Sequence, residues 1–263
     1  MMSHALRRLA LASIVRANAK AKRLAVRLTR WTGKSSEYVH PKHLLADTEA
    51  QYWYLAHVGR DDVLLDVGCG NAMHTLKVAR RCREATGIDR SAESLAVGVR
   101  RAAAERAANV RLVCGDVEET LPFGAARFDT VLCSDLLEHV VKRDHVLGEI
   151  RRVLRPHGRL LLAVPNRATT WKRHLEAVGL FSYSDPDHKI EYTLDELRAE
   201  LGRSGFEIVR LEPSVYDTPW IGVIDVIGGL SLSAYRRLSA LRRRLAEARP
   251  EENAGFYAVC APR

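Results

Sequence analysis

Two periodicities divide the chain. From Val63 onward, short runs of consecutive apolar positions alternate with longer stretches in which apolar residues return every three or four. Val63–Val67 (VLLDV) is the first such run, and its lack of a polar face predicts a strand buried on both sides. Ala85–Asp89, Val110–Cys114, Phe128–Cys133 and Arg159–Val164 repeat the pattern. Helices are predicted over Ala46–His57, Ala72–Arg83, Ser91–Ala108 (Ser91 as N-cap) and about Leu137–Leu154, the last stopped by Arg155-Pro156-His157-Gly158. Thr193–Ser204 is predicted as a helix with a Thr193/Glu196 capping box, and Phe206–Leu211 and Phe256–Cys260 as strands. Strands alternating with helices at this spacing require a parallel sheet covered on both faces by right-handed crossovers.

Two segments stand outside this alternation. Near the N-terminus, Leu6, Ala10, Ile14, Ala17, Ala21, Leu24, Leu28 and Trp31 recur at steps of three and four. Arg16, Lys20, Arg23, Arg27, Arg30 and Lys34 form an adjacent basic stripe. Such a helix suits an anionic membrane surface, or packs on the rest of the chain as a solvated basic helix. The second segment, Trp220–Leu232, is apolar but too short to span a bilayer; Asp225 interrupts it and arginines follow it. Together they point to a membrane surface or a lipid-linked substrate, with a homodimer contact as the competing explanation.

Charge follows the same division. The 263 residues carry a net +9, which on its own invites nucleic acid as a partner. Nine Lys and Arg precede the first acidic residue, Glu37, and the remainder is balanced, so no nucleic-acid partner is expected. Five cysteines without a CxxC pair exclude a disulfide framework and a structural zinc site, and the expected compartment is a reducing cytoplasm. The arm adds a peripheral place on the inner membrane face. The run Leu9–Val15, followed by Arg16 and Lys20, is a poor secretory signal despite the Ala17-Asn18-Ala19 triplet.

Candidate chemistry sits where parallel strands end. After the first strand comes Asp66-Val67-Gly68-Cys69-Gly70-Asn71-Ala72, in which Gly68 and Gly70 permit a tight turn and close approach of a ligand. A dinucleotide fingerprint needs a third glycine where Met73 stands, and Asp66 repels a pyrophosphate, so a cationic or zwitterionic ligand is favoured. Asp89 ends the second strand about twenty residues later, where a carboxylate can accept both ribose hydroxyls. After the third, Asp116 can bond an exocyclic amine and Val117 can pack on a base.

The runs D-V-G-C-G-N, G-I-D, G-D-V, F-D-T-V-L-C-S-D-L-L-E-H-V and L-R-P-H-G-R-L-L-L-A-V-P-N resemble the ordered motifs of class I S-adenosylmethionine-dependent methyltransferases, nearest the small-molecule branch that includes ubiquinone-pathway enzymes. The resemblance covers about Ala46–Pro213, with Gly255–Pro262 similar to the last strand. It implies a Rossmann-like α/β fold: a seven-stranded, mostly parallel sheet in the order 3-2-1-4-5-7-6 with an antiparallel last strand. Residues 1–45 would form a helical arm, 46–213 the core, 214–254 a helical insertion and 255–263 the last strand. The implied cofactor is S-adenosyl-L-methionine, bordered at its methionine end by Asp66, Gly68, Cys69 and Gly70. Asp89 and Arg90 would lie at the ribose, Asp116 and Val117 at the adenine, and Ser134 in the wall after strand four. Ala72 departs from a frequent third glycine, and His157 from a Pro-Gly-Gly turn.

Methyl transfer from a sulfonium chiefly needs alignment, with a base for a hydroxyl acceptor. Asp135 and His139, with Glu138 between them, are the nearest candidates, at helical spacing on one face; His188 in Asp187-His188-Lys189-Ile190-Glu191-Tyr192 is the third, though a loop histidine is commonly just solvated. Some relatives hold a divalent metal with a comparable E-x-x-E-H set, but the expectation adopted is no metal. His40 and His43 read as surface residues, and His74 as lacking a chemical role. Between Leu55 and Thr170 the only aromatics are Phe123 and Phe128, so the flanking regions have the makings of an aromatic acceptor pocket. The expected acceptor is a small or lipid-linked molecule, with oxygen ahead of nitrogen or carbon. A nucleic-acid methyltransferase is disfavoured because Ser134-Asp135-Leu136-Leu137 replaces an Asn-Pro-Pro-aromatic clamp. A non-catalytic cofactor-binding assembly factor is the alternative from another class.

Overall fold

The computed structural model describes residues 3–35, 40–45 and 52–263. Its helices are α1 (His4–Trp31), α2 (Met73–Ala79), α3 (Ala92–Ala104), α4 (Arg143–Val153), α5 (Thr170–Glu176), α6 (Leu194–Arg203), α7 (Ile221–Leu230) and α8 (Leu232–Ala248). Its strands are β1 (Val63–Val67), β2 (Glu84–Asp89), β3 (Val110–Cys114), β4 (Phe128–Ser134), β5 (Leu154–Pro165), β6 (Phe206–Glu212) and β7 (Gly255–Pro262). The chain forms two compact units. One comprises Thr48–Pro165, Asp187–Glu212 and Gly255–Arg263; the other Met1–Asp47, Asn166–Pro186 and Pro213–Ala254.

The first unit is the sheet, in the order β3-β2-β1-β4-β5-β7-β6, with β7 antiparallel to both neighbours and the remaining pairs parallel. Every residue of β1 is buried. Leu65 and Val67 join an apolar cluster with Val131, Cys133 and Leu162, while Leu64 joins another with Ala85, Leu132 and Leu161. Neighbouring residues thus feed opposite layers, as a two-faced strand must, each large side chain contributing roughly 1.5–3 kcal/mol. The N-caps at Ser91 and Thr193 are present, the latter with its full capping box.

Element ends differ from the sequence reading for local reasons. Helix α2 stops at Ala79 because the backbone N–H groups of Arg83 and Glu84 turn to the carbonyl of Asp62. Helix α3 closes at Ala104 with Arg106 left-handed and Ala107 N–H donating to the Ala102 carbonyl. The expected stop at residues 155–158 is a bulge inside β5: Phe128 pairs Leu154 and Thr130 already pairs Arg159. Of the helix expected over Ala46–His57, residues 46–51 lie outside the described ones, and Trp53–His57 forms a 3₁₀ turn.

The second unit is helical. Asn18 Oδ1 accepts from Gly222 N–H at 3.1 Å, and a Cβ on Gly222 or Gly229 would collide with α1 atoms of Ala21, Ala25 or Leu28, so α1 and α7 touch at backbone distance. Asp225, buried, pairs with His40 Nε2 at 3.2 Å. His40 is therefore an interior partner, not the surface residue expected; the side chain of His43 lies outside the description.

Candidate active site

The register of the parallel strands aligns the acidic ends. Val67 pairs Ile88 and Asp89 pairs Cys114, which sets the turn after β1, Asp89 and Gly115–Val117 side by side along one sheet edge. Gly68 and Gly70 have φ +72° and +52°, and Ala72 also lies in the left-handed region at +60°. The N–H groups of Gly68 and Cys69 both donate to the Ile88 carbonyl, at 2.9 and 3.1 Å. A Cβ on Gly68 would stand 2.7 Å from Leu136 Cδ1. Asp89 accepts Gly70 N–H on Oδ2 and Ser91 N–H on Oδ1, both at 2.8 Å. Its carboxylate is thereby fixed in orientation, with lone pairs left on each oxygen.

Asp66 is buried, and the Thr75 hydroxyl donates to its Oδ2 at 2.6 Å. Burial, with a smaller push from Asp89, raises its carboxyl to about 7. Burial likewise pushes the Cys69 thiol well up, which makes it an inert wall and not a nucleophile. Asp116 is exposed and accepts Glu118 N–H at 2.9 Å, while Val117 beside it is buried. Arg90 is exposed. Ser134, half-buried at the end of β4, donates to Asp135 Oδ2 at 3.4 Å.

Beyond β4 the structure corrects the sequence reading. Asp135, Glu138 and His139 are not on a helix: α4 begins only at Arg143, Asp135 has φ +53°, and its N–H donates to Ala163 O at 3.1 Å. The left-handed residue reverses the chain, so Leu137 enters the core while Leu136 reaches Gly68. The carbonyl of Glu138 accepts Lys189 N–H at 2.7 Å, which delivers the neighbouring His188. The rings of His139 and His188 lie 4.7 Å apart, edge to face. His188 is not a solvated loop residue: its side chain is 8% exposed, and Nδ1 meets Oε1 of fully buried Glu191 at 2.8 Å. With Nδ1 on a buried carboxylate, the ring is fixed in orientation and Nε2 is the nitrogen left without that partner. Thr75 and Glu191 were not singled out from sequence, although Glu191 stands at i+3 from His188 in the quoted loop.

Glu138, His139 and His188 each offer a ligand atom within 4.8 Å of the others. Glu138 is buried, its Oε2 has no hydrogen-bond partner among the described residues, and burial lifts its carboxyl to about 8, with Asp135 and Glu191 adding to the rise. A carboxylate and two imidazoles are a donor set that suits a divalent ion, and an ion would satisfy the orphaned oxygen.

Residues 65–162 match the family described as "Methyltransferase domain". A ubiquinone biosynthesis O-methyltransferase of Coxiella burnetii is 31% identical over 127 residues, covering 48% of this chain and 53% of that protein. The chain thus spans about half the length of the curated relatives it matches. Among solved structures, the [4+2]-cyclase SpnF aligns with TM-score 0.58 at 20% identity over 82% of this chain and 81% of its own. Magnesium protoporphyrin IX methyltransferase of Synechocystis, solved with bound S-adenosylhomocysteine, aligns with TM-score 0.51 at 20% identity over 64% of this chain and 74% of its own. The matched residues run from β1 through the glycine turn and into β5: residues 65–162 carry a class I S-adenosylmethionine-dependent methyltransferase domain, related to small-molecule O-methyltransferases that include ubiquinone-pathway enzymes.

Proposed function

We propose that the protein transfers the methyl group of S-adenosyl-L-methionine to an oxygen of a small or lipid-linked acceptor. The observation that carries this is the alignment of Asp66, the Gly68–Gly70 turn, Asp89 and Asp116 at adjacent strand ends. In this reading Asp89 accepts the ribose hydroxyls, Asp116 and Val117 face the adenine, and Asp66 faces the amino-acid end with Cys69 and Ser134 as walls. The sulfonium leaves as a neutral thioether, so the chain's main task is to align nucleophile, methyl carbon and sulfur. His188, with Nδ1 held by Glu191, takes the acceptor's proton at Nε2. His139 lies beside it, and with Asp135, whose charge acts on Glu138, shapes the approach of the acceptor.

The unpartnered Oε2 of Glu138 favours a second reading, in which Glu138, His139 and His188 hold a divalent ion. Such an ion would act as a Lewis acid on an acceptor oxygen; Glu191 would then orient His188 as a ligand. Calorimetry tests the shared part: S-adenosylmethionine is expected to bind, and absence of binding overturns the assignment. Labelled methyl transfer into lipid, soluble-metabolite and nucleic-acid fractions tests the acceptor. Label confined to nucleic acid would sink the small-molecule reading, and binding without turnover on any fraction would favour the assembly factor. Turnover abolished by chelator and restored by Mg²⁺ or Mn²⁺ would select the metal reading.

A further inference from the structure

The arm's apolar residues form two rows, only one of which is covered. Ala25 and Leu28 are buried, and with Asn18 and Ala21 they line the contact with α7. A second row, Leu6, Leu9, Leu24 and Trp31, lies about a third of a turn around α1 and is exposed, Trp31 to 85%. Arg16, Lys20, Arg23, Arg27 and Arg30, all exposed, run along its outer margin. The 28-residue helix is about 42 Å long at 1.5 Å per residue and contains no acidic residue.

Helix α7 carries a matching row. Trp220, Val223 and Leu230 are exposed, with half-buried Ile227 between them, at spacings of three and four. Asn18 meets Gly222 and Thr32 meets Gly229, so the two helices run in the same direction. With that alignment, helical spacing puts both open rows on one side of the pair. The far side of α7 is taken by Pro41, Tyr235 and the His40–Asp225 pair. This unit holds nineteen Lys and Arg against nine Asp and Glu, whereas the sheet unit is within one charge of neutral. No helix among the described residues is long and apolar enough to cross a membrane.

We infer that the α1/α7 face docks flat on an anionic lipid bilayer, with Leu6, Leu9, Leu24, Trp31 and Trp220 in the acyl boundary and the basic margin against lipid headgroups. Parallel apolar and cationic rows with an aromatic at each helix's edge fit a charged apolar interface. A nucleic-acid groove has no use for the aliphatic row, and a second copy of this chain would oppose like charges. The inference stands apart from the methyl-transfer reading, because its readout is lipid binding.

Cosedimentation and tryptophan emission of the full chain with phosphatidylcholine vesicles, with and without phosphatidylglycerol, test it. Binding and a blue shift are expected on the anionic vesicles alone. Leu9→Ser/Leu24→Ser/Trp31→Ser, which spares the contact with α7, should weaken binding more than tenfold. Each of Arg16→Gln, Arg23→Gln and Arg27→Gln should weaken it roughly fivefold and flatten its salt dependence. Circular dichroism and S-adenosylmethionine affinity of the variants should match the wild type. If the triple variant fails to fold, quenching of wild-type emission by brominated anionic lipid, reduced in Trp31→Phe, carries the test. Equal binding to neutral vesicles, undiminished binding by folded variants, or no quenching would overturn the inference. So would retention by RNA in place of vesicles, or self-association lost in the same variants.

Discussion

Two stretches of the sheet unit each bury a carboxyl group and treat it differently. At the end of β1, Asp66 is lifted to about 7 by burial, yet Thr75 bonds its oxygen, and the neighbouring Asp89 has both oxygens engaged by backbone N–H groups. After β4, Glu138 is lifted to about 8 and one of its oxygens has no hydrogen-bond partner among the described residues. Unsatisfied buried oxygens are uncommon and mark a group awaiting something. The first region is finished in advance, as suits a ligand that never varies. In the proposed reading the second is completed by what enters it, an acceptor or ion particular to this protein.

The largest expected effect comes from breaking the finished region. Asp89→Ala removes the group expected to accept two charge-assisted hydrogen bonds from ribose, each worth roughly 1.5–3 kcal/mol. Affinity for S-adenosylmethionine in calorimetry should fall by roughly 10³-fold. Undiminished binding would mean that the aligned acids do not form the cofactor site.

Breaking the unfinished region should spare the cofactor. His188→Ala is expected to lower kcat about 100-fold with cofactor affinity unchanged, and Glu191→Gln to lower it about tenfold. Under the base reading, the loss in His188→Ala should shrink as pH rises and the acceptor ionises unaided. Under the metal reading, the same variant should lose Mn²⁺ affinity at every pH. A fall in cofactor affinity matching that of Asp89→Ala would erase the distinction between the regions.

The finished region was largely legible in the sequence and the unfinished one was not, for a physical reason. A strand buried on both faces must be apolar throughout, and a turn that admits a ligand must be glycine-rich, so VLLDV followed by Gly68 and Gly70 announces itself. The D-L-L-E-H run also has helical spacing, which hid the left-handed Asp135 and the reversal it makes toward the Ala163 carbonyl. The pairing of His139 with His188 rests on a backbone bond between Glu138 and Lys189, some fifty positions apart, which no local pattern encodes. The arm shows the same limit: its amphipathicity was visible, but which apolar row α7 would cover depended on Gly222 and Gly229.

A third test concerns charge at Asp66. Its unfolded value is 3.8 and its folded value about 7, so between these the folded chain holds a proton that the unfolded chain releases. Through this group, stability without cofactor should fall as pH rises from about 4 to 7, by an upper bound of roughly 4 kcal/mol, and Asp66→Asn should remove that share of the slope while leaving the share due to Glu138. A cofactor carrying an ammonium group selects the ionised form. Its affinity should weaken about fivefold from pH 7 to pH 6 in the wild type, with a proton released on binding, and change little from pH 7.5 to 8.5. Affinity flat across pH 6 to 8 would show that Asp66 stays neutral and serves packing alone.

The smallest effect is the most local. Ala72 closes the turn at φ +60°, a conformation that costs an L-residue roughly 1–2 kcal/mol and that glycine adopts freely. Ala72→Gly relieves that strain but gives back about 0.4–1 kcal/mol through the freer unfolded chain. It also strips a buried methyl that stands against Gly98, where any added Cβ would come within 2.9 Å of it. The three terms nearly cancel, and thermal unfolding should register a gain below about 1 kcal/mol. A finished site tolerates this substitution because Gly68 N–H, Cys69 N–H and both oxygens of Asp89 already fix the turn from its other side. Should Ala72→Gly instead loosen cofactor binding tenfold or more, the turn owes its shape to the Ala72 methyl, and the edge is less preformed than its hydrogen bonds imply.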